Sequence, residues 1–106
     1  MFKARVEVTL KEKILDPQGK AIESSLRNLS FSTLNHVRTG KNIDISVAED
    51  SLDKAISTVR LACEKLLANP VTEEYECEIF NDGGDSLARF SNRRTPAVTI
   101  TERANN

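Results

Sequence analysis

Residues 2–11 read FKARVEVTLK, and apolar and polar side chains alternate along them without a break. Phe2, Ala4, Val6, Val8 and Leu10 share one face; Lys3, Arg5, Glu7, Thr9 and Lys11 share the other. A period of two marks a β-strand with one buried side and one wet or partner-facing side. Two later segments repeat the pattern. Ile43, Ile45 and Val47 alternate with Asn42, Asp44 and Ser46, and Tyr75, Cys77 and Ile79 alternate with Glu74, Glu76 and Glu78. A sheet made of these strands has one apolar face, which must be covered by something.

The intervening segments supply the cover. Asp16-Pro17 reads as a helix start, with Asp as N-cap acceptor and Pro at a position where a missing amide costs nothing. Ala21, Ile22, Leu26 and Leu29 recur at helical spacing, so this helix is expected to run to about residue 29 with one apolar stripe. A second helix carries Leu52, Ile56, Val59, Cys63 and Leu66 in steps of four and three. Glu49, Asp50 and Asp53 place negative charge at its start, and Asn69-Pro70 is expected to close it with Asn in the left-handed conformation. Between the helices, Phe31 to Val37 leads into Arg38-Thr39-Gly40-Lys41, read as a turn or bulge with Gly40 at positive φ.

The expected order is strand, helix, one long bent strand or two short ones, helix, strand. That order predicts an α+β fold: an antiparallel sheet with two helices on one face, a sandwich of ferredoxin-like type. The opposite face carries Lys3, Arg5, Glu7, Asp44, Glu76 and Glu78, either solvated or paired across a subunit boundary. Residues 1–80 hold this core. Residues 81–106 read as a C-terminal tail outside it, flexible or adding a short strand through Val98 and Ile100. The tail carries a net charge of +1 and residues 1–80 carry −2.

The inventory of 106 residues excludes much chemistry. A formal net charge of −1 argues against a nucleic-acid binder. No apolar run approaches the roughly 18 residues of a membrane span, and no secretory signal opens the chain, so the cytoplasm is the expected location. The single His36 has no Asp or Cys near it in sequence to orient or use it. Cys63 and Cys77 fall on apolar faces and read as buried, inert thiols, too few for a disulfide framework or a zinc site. No phosphate-binding glycine loop is present. No catalytic residue, cofactor site or metal site is therefore expected.

Three blocks carry a family resemblance. They are Leu15-Asp16-Pro17-Gln18-Gly19, then Val37-Arg38-Thr39-Gly40-Lys41, then Cys63-Glu64-Lys65-Leu66-Leu67-Ala68-Asn69-Pro70-Val71 with its acidic follow-on Glu73-Glu74-Tyr75. In this order and spacing, residues 1–80 resemble PurS, the small subunit of phosphoribosylformylglycinamidine synthase. Members of that family tend to end near Phe80, so the tail departs from the pattern. The resemblance implies a PurS-like sandwich and a non-catalytic subunit of a glutamine-dependent ligase in de novo purine biosynthesis. Such a subunit joins a glutaminase subunit to a large synthetase subunit and assists ammonia transfer, while the partners handle ATP, Mg and glutamine. It also implies a homodimer or a dimer of dimers, with no membrane or nucleic-acid partner.

The first two blocks supply candidate partner-interface residues: Asp16, Gln18 and Gly19, and Arg38, Gly40 and Lys41. Gly19 lets another backbone approach closely, and Arg38 offers a planar fork suited to carboxylates. The alternative is that both blocks are only a helix start and a solvated turn. A second functional class also fits the same fold: a free-standing dimeric regulatory or metabolite-binding module.

Overall fold

The computed structural model describes residues 1–93 and 99–100. Strand β1 (Phe2–Leu10) forms where the alternation predicts and buries Ala4, Val6 and Val8. Helix α1 (Pro17–Asn28) follows, then strand β2 (Gly40–Val47), helix α2 (Leu52–Ala62), and strands β3 (Glu73–Phe80), β4 (Ser86–Ser91) and β5 (Thr99–Ile100). All pair antiparallel in one sheet of order β2-β1-β3-β4-β5. The α+β class and the antiparallel sheet are as expected, with β2 a single strand.

One core joins Ala4, Val6 and Val8 of β1, Val47 of β2, Tyr75, Cys77 and Ile79 of β3, and Ala55, Ile56 and Val59 of α2. Asp16 and Ser51 cap the two helices, their side chains accepting from the amides of Gly19 at 2.9 Å and Lys54 at 3.3 Å. Cys63 and Cys77 are buried free thiols, pushed up to about 11 and about 12 mainly by desolvation.

Four local expectations need correction. The stripe of α2 does not continue to Leu66, because Cys63–Leu67 is a π-turn in which the Ala68 amide reaches back to the Cys63 carbonyl at 3.0 Å. The wider turn inserts a residue into the helical count. Leu67 and Ala68 therefore meet the core, and Leu66 is 82% exposed. Asn69 does not cap the helix in the left-handed region. Its side chain accepts from the Val71 amide at 2.9 Å, forming a turn into β3.

Gly40 has no positive φ; it opens β2 opposite Thr9, and a Cβ there would meet the Val8 carbonyl oxygen at 2.6 Å. Close approach, not backbone freedom, selects this glycine. Finally, residue 80 does not end the core. Asn81–Asp85 closes a hairpin with Gly84 at φ 85°, and β4 buries Ala88 and Phe90 at 0% and 3% exposure. Within residues 81–106, Ser86–Ser91 is thus a core strand, and Thr99–Ile100 adds a short strand beyond it; Val98 lies outside the described residues.

Candidate functional site

Antiparallel pairing of β1 with β2 brings the segment leaving β1 beside the segment entering β2. The first two sequence blocks, 15–19 and 37–41, thereby meet, as Thr9 faces Gly40 across the ladder. The Asp16 carboxylate is the centre of the junction. It accepts from the Gly19 amide, from the Thr39 amide at 2.6 Å and from the Thr39 hydroxyl at 2.8 Å. Glu23, about two turns further along α1, accepts from the Val37 amide at 3.3 Å and pairs with Arg27 at 2.7 Å. Arg38 runs the other way, donating to the carbonyls of Lys11 and Ile14 at 3.0 Å each and of Leu10 at 3.4 Å.

Gly19 seals the contact. A Cβ on it would run into the Val37 carbonyl oxygen and lie 2.9 Å from Asp16 Oδ2. Four of the six candidate residues, Asp16, Gly19, Arg38 and Gly40, are thus engaged within the chain. Gln18 and Lys41 are exposed. Sequence reasoning missed Glu23 and the role of Thr39. Glu23 did carry a signal, an acid four residues before Arg27, but its burial is set by Val37 from another segment.

The bonds from the Thr39 and Gly19 amides hold the Asp16 carboxyl down at about 2, and the one from the Val37 amide holds Glu23 low as well. A depressed folded-state value means that Asp16 contributes stability in full above its ordinary 3.8 and loses it as pH falls through about 2. Asp16→Asn is therefore expected to be less stable than the unmodified chain at neutral pH, with the gap closing in strong acid. Urea unfolding at several pH values measures this; an equal gap throughout would show that the charge is irrelevant.

The second feature is what α1 does not do. Its polar residues dock it, and none of its apolar residues joins the core. Ile22, Leu29, Phe31 and Leu34 are exposed, as is Leu15 before the helix, with Leu29 at 67% and Phe31 at 51%. The expectation that both helix stripes pack on the sheet holds for α2 alone. Several large exposed apolar side chains on and beside one helix of a folded domain are candidates for a surface that another molecule covers.

On the charged sheet face, a cleft of about 460 Å³ is lined by Lys3, Arg5, Asp44, Phe80 and Asp82. Its Arg5 is already committed, to Asp44 at 3.5 Å and over the Phe80 ring at 5.6 Å. His36 is exposed and takes a left-handed φ of 57°. No group of three or more His, Cys, Asp or Glu side chains among the described residues is placed to hold a metal. No helix is long and apolar enough to cross a membrane among those residues.

A family model described as PurS, phosphoribosylformylglycinamidine (FGAM) synthase, matches residues 3–81. The chain is 39% identical over 79 residues to the phosphoribosylformylglycinamidine synthase subunit PurS of Bacillus subtilis, covering 74% of this chain and 93% of that one. Among solved structures, B. subtilis PurS superposes with a TM-score of 0.68 at 38% identity, over 76% of this chain and 100% of the other. A structure of PurLQS from Thermotoga maritima contains a chain that matches at TM-score 0.67 and 39% identity, over 72% of this chain and 93% of that chain.

Proposed function

The chain belongs to the PurS family, and from that premise we propose that it is the small subunit of a glutamine-dependent FGAM synthase in purine biosynthesis. It works by joining the other subunits rather than by performing chemistry. In the overall reaction, ammonia released from glutamine replaces the amide oxygen of formylglycinamide ribonucleotide after ATP phosphorylates that oxygen. ATP, Mg and glutamine are handled by a large synthetase subunit and a glutaminase subunit, and this subunit assists ammonia transfer between them. Cytoplasmic location follows from that role.

The observation that carries the reading is the set of exposed apolar side chains on and around α1: Ile22 within it, Leu15 before it, and Leu29, Phe31 and Leu34 after it. A helix whose polar side is locked by Asp16 and Glu23 presents its apolar side as a rigid docking face. Rigid, pre-formed apolar patches are what an assembly interface needs, since little ordering entropy is lost on contact. Self-association as a homodimer or dimer of dimers covers part of it. The junction residues Asp16, Gly19, Arg38 and Gly40 position the surface, and exposed Gln18 and Lys41 are available at its partners' approach.

The test is reconstitution. Mixed with its cognate large subunit and glutaminase, the chain is expected to co-elute with both and to restore glutamine-dependent synthesis. Ile22→Glu with Leu29→Glu changes two exposed side chains and should leave folding intact but abolish co-elution. Full activity and association of the two larger subunits without this chain would overturn the proposal.

A further inference from the structure

The family match ends at residue 81, and the solved B. subtilis chain is matched over its whole length by 76% of this chain, yet the sheet continues. A domain stopping there would leave the eight residues of β3 as an open edge, a row of free amides and carbonyls that templates pairing with another strand. β4 occupies that edge from Glu76 opposite Ser91 to Phe80 opposite Ser86. Its attachment is built at both ends. At the turn, the Asn81 side chain accepts from the Asp85 amide at 2.9 Å, and the Asn81 amide donates to the Asp85 carbonyl at 3.0 Å. At the far end, the Asn92 side chain accepts from the Tyr75 amide at 2.8 Å and donates to the Glu73 carbonyl at 3.3 Å.

Side chains fasten the span between. On the core side, Phe90 meets Tyr75 edge-on at 6.2 Å and lies under Arg60 at 5.1 Å. On the charged side, Arg89 pairs with Glu78 at 3.2 Å, and Arg93 pairs with Glu74 at 3.2 Å and Glu76 at 3.6 Å. Beyond β4, the described residues pair with β5 at Ala88–Ile100 and Arg89–Thr99. A long acidic edge has been exchanged for one that carries the exposed charge of Arg89, a device that discourages strand addition.

We propose that residues 81–93 are a built-in edge cap, a strand supplied in cis that withdraws the β3 edge from pairing with a second copy of this chain. Self-association is thereby confined to other surfaces.

Two measurements test it, and neither reads synthase activity, so the outcome is independent of the proposed subunit role. Asn92 exchanges hydrogen bonds with Tyr75, so the Cys77 and Ile79 amides, at the same strand parity, also face β4. In hydrogen exchange on the unmodified full chain they are expected to stay equally protected across a roughly hundred-fold dilution. Protection lost on dilution would mean that the edge is covered in trans, and would overturn the cap. In the second arm, Ala88→Pro removes the amide opposite Ile79. With cooperative unfolding retained, the mass in light scattering is expected to rise about two-fold or more; an unchanged mass overturns the proposal. Should that variant fail to fold, Arg89→Glu with Arg93→Glu sets two exposed side chains against Glu78, Glu74 and Glu76, and the same rise or its absence decides.

Discussion

Gly19→Ala is expected to destabilise the chain by about 2–3 kcal/mol, although helix propensity alone would make it stabilise by up to ~1 kcal/mol. The sign is the test. Gly19 lies in the first turns of α1, where alanine lowers the entropy cost of forming the helix. The new methyl would run into the Val37 carbonyl oxygen and crowd the Asp16 carboxylate. Neither neighbour can yield. The carbonyl belongs to a backbone segment tied by Glu23 and Thr39, and the carboxylate already holds two amides and a hydroxyl. Chemical denaturation measures the loss, and Gly19→Ala is further expected to weaken subunit association by tilting α1. A stabilised variant would show that the segment 37–39 moves freely away from the helix.

Phe90→Ala is expected to cost about 3–5 kcal/mol, a large share of the roughly 5–15 kcal/mol that a domain of this kind has in total. Phe90 is 3% exposed, packed edge-on to Tyr75 and covered by the Arg60 guanidinium. Truncation removes its apolar area and leaves a cavity beside Cys77, its partner across the ladder. The comparison is Arg89→Ala, on the opposite face of the same strand. That change removes one exposed ion pair and should cost no more than about 1 kcal/mol. Equal, small losses from both would mean that residues 86–91 add nothing to the core and that the shared domain is self-sufficient at residue 80.

Much of the fold was legible because its signals are local. The alternation of Phe2 to Leu10 and of Tyr75 to Ile79 located two strands to within a residue or two, and Asp16-Pro17 located the start of α1. The hairpin into β4 was also written in the chain, as Asn81-Asp82-Gly83-Gly84 followed by Ala88 and Phe90 alternating with Arg89 and Ser91. The low apolar content around it disguised that signal. The candidate residues were found as motifs, but their work was not: Asp16 reads as an ordinary N-cap, and nothing near it in sequence announces Thr39 as its second partner.

What this sequence determined by itself is the strand and helix periods, the N-cap of α1 and, through three ordered blocks, the family. Those properties depend on residues within a few positions of one another or on identities that need no geometry. Only the tertiary structure decided which helix face is buried, where the core ends and why two glycines are required. α1 and α2 carry equally plausible apolar stripes, yet polar contacts from residues 37–39 turn that of α1 outward. Gly40 and Gly19 answer to carbonyl oxygens 32 and 18 residues away in the chain, at Val8 and Val37. Steric contact between segments so far apart leaves no periodic trace in either one.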